Sequence, residues 1–268
     1  MSDETPLAPV PGRGRTLAII ALAVGVLAVL LVGGAGPGSR MGLWHWSTGL
    51  RTVIKYGAYL GVLAVILSVV ALLMARGRRA GRATLAVAGV ALLLGLTAWY
   101  FPWSWRRHAQ SVPPIHDITT DWVNPPELVQ SRALRDTSTA EKMNTAVYEG
   151  DSIAAQQRQA YPDIRPVMLA MPLDEAFAAV VRTVRDMGWT EVEIHRDART
   201  VEAVDETPWF GFKDDVVVRV TPASGISRVD IRSVSRVGRS DVGMNAERIR
   251  AFTERLRENY RNRIADPQ

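Results

Sequence analysis

Three transmembrane helices followed by an α+β two-layer sandwich is the architecture this sequence predicts, and three observations predict it. Three stretches carry no charged residue: Thr16–Ser39, Tyr56–Ala75 and Ala83–Trp105. Charge is unevenly divided, with nine Lys/Arg against two Asp/Glu in residues 1–105 and 23 against 25 in residues 106–268. From Val167 onward a helical apolar stripe, several alternating segments and a second helical stripe succeed one another.

Each charge-free stretch can span a bilayer, because about 20 residues rising about 1.5 Å each cover a hydrocarbon core of about 30 Å. Their cores (LAIIALAVGVLAVLLV, LGVLAVILSVVALL and LAVAGVALLLGL) are apolar all round, unlike the one-sided helix of a soluble core. The helices are expected at about 16–36, 56–75 and 83–103, within a membrane domain of residues 1–105. The first stretch follows Arg13 and Arg15 and runs into small residues at Gly33, Gly34, Ala35 and Gly36, which is also the outline of a signal peptide. Its apolar run exceeds the usual signal core, which favours an uncleaved helix. No ionisable residue lies inside a span, and this argues against an ion or proton pathway. Gly57 and Gly61 form a GxxxG spacing that suits close packing within the three helices or association with another one.

Arginine sets the expected orientation. The short link from Arg76 to Arg82 carries four arginines, and by the positive-inside rule it and the N-terminus face the cytoplasm. Trp44, Trp46, Tyr56, Tyr59, Trp99, Tyr100, Trp103 and Trp105 gather at the opposite interface. The soluble domain, residues 106–268, then lies outside the bacterial cytoplasmic (inner) membrane of a multi-pass protein. The pI of 9.9 comes from arginines flanking the helices and is no footprint of nucleic-acid binding. No cysteine is present, which excludes disulfides and thiolate chemistry.

Residues 106–166 are rich in proline and polar residues and read as extended chain, with a short helix over Ser152–Tyr161. A strand begins at Val167. Pro172 and the acidic Asp174 and Glu175 then open a helix whose stripe of Leu173, Phe177, Val180, Val181 and Val184 ends at Gly188. Strands follow at about Thr190–His195, Thr200–Asp205, Lys213–Val220 and Ser227–Ser235, and a last helix runs from about Asn245 to Tyr260. The order predicts a four- to five-stranded, mainly antiparallel sheet with helices on one face. Centring the turn after Thr221 on Ala223-Ser224 sets Val218 opposite Val229, Val216 opposite Ile231, and Asp215 opposite Arg232 on the outward face.

Several blocks resemble the domain-of-unknown-function 1499 family over about residues 115–256. They are His116 to Asp121, Ala160 to Ile164, Gly188-Trp189, Val201 to Ala203, Gly211 to Val220, and Arg232 to Asp241 with Gly243, Asn245, Arg248 and Ile249. The resemblance implies the extent of the domain and brings no catalytic residues with it.

Candidate chemistry centres on one polar group: His116, Asp117, Ser235, Arg236, Ser240 and Asp241. Arginines beside a helix start suit an anion such as a lipid phosphate or carboxylate. The competing reading has the same residues capping turns and pairing across strands. A metal site is not expected, since Asp214 and Asp215 are strand neighbours pointing to opposite faces. No GxSxG or SxxK motif surrounds Ser233, Ser235 or Ser240, so no catalytic residue or cofactor is assigned. The turn-borne aromatics Trp209, Phe210 and Phe212 could meet a partner. The expected function is a non-enzymatic, membrane-anchored envelope module that binds a protein or lipid partner, with no nucleic acid involved. An enzyme acting on an anionic envelope substrate and a subunit of a larger membrane complex are the alternatives. The orientation is open to direct test: a reporter active only outside the cytoplasm should work when fused after Asp121 and fail when fused at Gly77, and the reverse result would invert the topology.

Overall fold

The computed structural model describes residues 12–75, 81–137 and 143–265. The chain forms two compact units, Met1–Arg107 and His108–Gln268. The arginine-rich link at residues 76–80 lies outside the described residues, as does the N-terminus to residue 11.

The first unit contains α1 (Arg13–Arg40), a helical turn α2 (Trp46–Thr48), a π-helical stretch (Gly49–Val53) continuing into α3 (Ile54–Met74), and most of α4 (Arg82–Ser111). Three helices, Arg13–Arg40, Trp46–Met74 and Arg82–Ser111, are long and apolar enough to cross a membrane. Their packing is inverted relative to a soluble bundle. Buried positions are small: Ala18, Ala21, Gly25 and Ala28 on α1, Gly57, Gly61, Ala64, Ser68 and Ala71 on α3, and Ala88, Ala91, Gly95 and Ala98 on α4. Large residues such as Leu30, Ile66 and Leu93 face outward, the pattern expected where lipid is the solvent. The GxxxG glycines are consumed internally. A Cβ on Gly57 would meet Val32 of α1, and one on Gly61 would lie 2.8 Å from the Gly95 carbonyl of α4. Trp44 folds back on Gly38, and its indole Nε1 donates to the Ala35 carbonyl at 2.9 Å near the end of α1.

The second unit adds β1 (Asp117–Thr119), α5 (Gln130–Thr137), α6 (Asp151–Ala160), β2 (Val167–Leu169), α7 (Leu173–Asp186), β3 (Thr190–His195), β4 (Thr200–Glu206), β5 (Lys213–Ala223), β6 (Ile226–Ser235) and α8 (Met244–Ala265). The sheet is antiparallel with the order β1-β6-β5-β4-β3, and β2 shares the outer edge of β6 with β1. It has six strands, more than the four or five expected, because Asp117–Thr119 is a strand too short for alternation to reveal. Helices α7 and α8 cover one face, over a core that includes Val180, Val201, Val218, Ile231, Ile249 and Phe252. Trp189 stacks on Phe252 within it, with centroids 5.8 Å apart.

Two expectations are corrected. The β5–β6 hairpin turns on Ser224-Gly225, whose φ angles are +45° and +86°. Positive φ at both central residues defines the tight turn whose twist matches the flanking strands, and glycine suits its second position. The turn is therefore one residue further along than expected. Val218 faces Ile231 and Val220 faces Val229, while Asp215 lies opposite Val234 and Arg232 opposite Val217. A shift of two in the pairing keeps every side chain on its expected face. The second correction concerns the outward face, which is roofed by residues 121–137 and 143–148. Leu128 and Ala146 among them cover Val217 and Val234, and Asp215 and Arg232 are only 1% and 2% exposed.

Substitution in the bundle should separate the glycines. Gly61→Ala puts a methyl group against the backbone of α4 and should cost about 1–3 kcal/mol of overpacking. Gly34→Ala meets nothing within 4 Å and should be close to neutral. Thermal midpoints of the full chain in detergent measure both, and equal midpoints would refute the packing.

Candidate functional site

The polar segment at His116 docks on the turn after β6 through its backbone. The His116 carbonyl accepts from Ser235 N and from Asn245 Nδ2, both at 2.9 Å, and Asp241 N donates to the Ile115 carbonyl at 3.1 Å. The side chains of Asp117, Ser235 and Arg236 are then divided between two faces of the sheet, while Ser240 and Asp241 lie in the turn before α8. Ser235 lies on the helix-covered face, where its Oγ accepts from Asn245 at 3.1 Å. Asp117 lies on the roofed face and holds Arg232 in a two-point contact of 2.9 and 2.6 Å. Arg232 spends its remaining donors on the carbonyls of Pro126 and Ala146, and it lies over the Tyr148 ring. Burial, then Asp117, pushes the Tyr148 hydroxyl up to about 12. Ser240 and Asp241 hold the start of α8: Ser240 Oγ accepts from Val242 N, and the Asp241 carboxylate from Gly243 N and Asn245 N. Burial raises the Asp241 pKa even though those two backbone bonds oppose it. The six residues thus come together along the backbone, while the side chains of Asp117, Ser235, Arg236, Ser240 and Asp241 serve separate tasks.

Arg236 completes the strongest of these tasks. It reaches Asp215 at 2.7 and 3.0 Å, and Arg135 and Ser131 from α5 bond the same carboxylate. Burial pushes the Asp215 carboxyl up, but the Arg236 and Arg135 contacts outweigh it and hold the group below its ordinary range. Glu202 of β4 accepts from Val129 N and Gln130 N at the start of α5, a carboxylate placed where a helix leaves its N–H groups open. On the helix-covered face, Arg248 bonds Asp214, Asp205, Ser233 and Asn245. At the far end of the sheet Arg228 bonds both Asp121 and Asp230, and Arg219 lies beside them. Among the described residues no group of three His, Asp or Glu side chains is placed to hold a metal ion. The aromatic turn is largely folded in: Phe210 is buried and stacks on Phe212.

A different feature is open to a ligand. A groove of 670 Å³ runs between β2 and α8. One wall is a stripe of α8 at four-residue spacing, Ile249, Thr253, Arg257 and Arg261, with Tyr260 beside it. The other is β2, where Val167 and Leu169 enter the core and Met168 is 48% exposed. β2 pairs only with β6, and no strand lies on its second edge among the described residues. Arg250 at one end is paired with Asp163 at 2.6 Å, whereas Arg257 and Arg261 hold no ion pair among the described residues. Arg165, just before β2, lies 4.7 Å over the Trp122 ring, which also carries Arg158 at 5.4 Å. Sequence reasoning missed this groove. Its only local signals were the four-residue recurrence on α8 and an apolar triplet following Pro166.

The family described as protein of unknown function (DUF1499) matches residues 117–256. The chain belongs to this family. The match opens at the first residue of β1 and closes at Leu256 within α8, so the DUF1499 unit comprises the whole sheet, α7 and the first part of α8. No curated protein matches the chain.

The ion pairs of the DUF1499 domain make a quantitative expectation. Asp215→Asn leaves Arg135 and Arg236 buried beside a neutral group and should cost about 3–5 kcal/mol at neutral pH. The pH dependence carries its own sign. The folded-state pKa lies below the ordinary 3.8, so the stabilisation is full above that value and is lost as pH falls through the lowered one. Denaturant titration of the full chain across this range measures both, and a loss below about 1 kcal/mol would mean the pair is solvated.

Proposed function

We propose that this DUF1499 protein is a membrane-anchored binding or assembly module of the bacterial envelope, with its N-terminus cytoplasmic and its DUF1499 domain outside the inner membrane. The groove between β2 and α8 is its partner site. Support for the anchor comes from the apolar helices and from the aromatic cluster on α4, where Trp99 stacks on Trp103 and Arg107 lies over Trp103. The single observation that carries the site is a contrast in arginine partnering. Arg135, Arg232, Arg236 and Arg248 are each locked to buried carboxylates, whereas Arg257 and Arg261 stand exposed along a groove beside an open strand edge. Charges committed to the fold have little left for a ligand, and uncommitted ones beside unused backbone have much to gain.

Hydrogen exchange tests this reading. The full chain in native membranes should show more amide protection over residues 164–169 and 249–261 than the same chain purified into phosphatidylcholine nanodiscs. Extra protection confined to residues 240–245 would move the site to the polar turn at Asp241. No difference at either place would overturn the binding-module reading in those membranes.

A further inference from the structure

The nature of the occupant follows from what the groove offers, and this step rests on the partner-site reading above. We infer that the groove takes an extended peptide segment with acidic residues at one end, which adds to β2 as a further strand. Three properties of the groove lead there.

The first is main-chain chemistry. Val167–Leu169 pairs with Val229, Arg228 and Ser227 on one side only. A ligand covering the other edge must supply donors and acceptors, because a strand's N–H and C=O groups cost free energy when sealed from water unpaired. A peptide backbone supplies both at the right spacing, and an acyl chain supplies neither. The contrast with β1 is instructive. Its second edge is closed by Gln157, whose side-chain amide donates to the Thr119 carbonyl at 2.6 Å and accepts from Thr119 N at 3.0 Å. Among the described residues no side chain closes the second edge of β2 in this way.

The second is length. Ile249 to Arg261 covers about 18 Å of helix at about 1.5 Å per residue, which matches about five residues of strand at roughly 3.3 Å each. The third is charge. Asp163, which precedes β2, pairs with Arg250 at one end of the α8 wall, and Arg257 and Arg261 line the same groove further along α8. Among the described residues Glu254 is the one acidic side chain on the wall without an arginine partner, so acidic ligand residues belong at the Arg257–Arg261 end. A helix wall facing an open strand edge, with arginines at one end, gives main-chain affinity and charge direction together.

The test uses the full chain in phosphatidylcholine nanodiscs. The probe is a fluorescein-labelled six-residue peptide of alternating valine and threonine ending in two glutamates, read by anisotropy. Saturable binding is expected. Arg257→Glu with Arg261→Glu, both exposed and outside the fold's ion pairs, should weaken it roughly tenfold or more. A probe ending in two lysines should show the opposite preference and bind the doubly reversed variant better. A probe N-methylated at alternate backbone positions should lose binding, because it cannot form the strand. Equal binding by the N-methylated probe would overturn strand addition, and equal binding by the lysine probe to the unaltered chain would overturn the acidic preference. If phosphatidylglycerol nanodiscs alone protect residues 164–169 from exchange, the occupant is lipid and the inference is wrong. If every probe fails while native membranes still protect the groove, the binding module stands and the peptide inference falls.

Discussion

A single carboxylate, Asp215, ties the layers of the DUF1499 domain together. It projects from a central strand into a space where Arg236 arrives from β6, and Arg135 and Ser131 arrive from α5. Two guanidinium groups around one buried carboxylate leave a net positive charge, and Glu191 beside Arg236 offsets part of it. Lys213 first, then Arg236, hold the Glu191 carboxyl below its ordinary range. The consequence reaches beyond charge. The cover, residues 121–137 and 143–148, places Leu128 and Ala146 in the apolar cluster over this face of the sheet, a small burial for its length. Asp215, together with Arg232 and Glu202, gives it fixed polar attachments, and Leu128 and Ala146 then close over Val217 and Val234.

This arrangement explains the division between used and unused polar groups. A buried guanidinium must be neutralised and its donors filled, and Arg232 and Arg248 meet that demand with several acceptors each. Such residues set register and seal layers. The open face of the domain is defined by what this lattice does not reach, which is the strip from β2 across to the C-terminal part of α8.

The membrane region solves a different problem with different residues. Lipid tails are as apolar as leucine, so helices gain little from turning large side chains inward. Close approach of backbones decides the packing, and Gly61 and Gly95 face each other where α3 and α4 meet. The buried positions on α3 recur at intervals of four and three, from Gly57 through Gly61, Ala64 and Ser68 to Ala71, and those on α4 follow the same rhythm. This small-residue repeat is a stronger guide to the contact faces than hydropathy, which is uniform around each helix.

The sequence by itself determined the three apolar helices, the strand–helix–strands–helix order, and which residues of β5 and β6 face the helices. Those features rest on local periodicity, and β3 begins and ends where the alternation of Thr190–His195 does. It also determined the family, through blocks of residues spread along the domain. Tertiary structure decided the rest. Three consecutive valines at 216–218 signal a strand covered on both faces, yet no local pattern names the cover, because its contacts join residues far apart in the chain. Asp117 and Arg232 are separated by 115 positions, and the salt bridge between them exists only once β1 has docked. The β2–α8 groove was illegible for the same reason. Its walls are built from two segments about 80 residues apart, and whether a strand edge stays open depends on every other strand having found its partner.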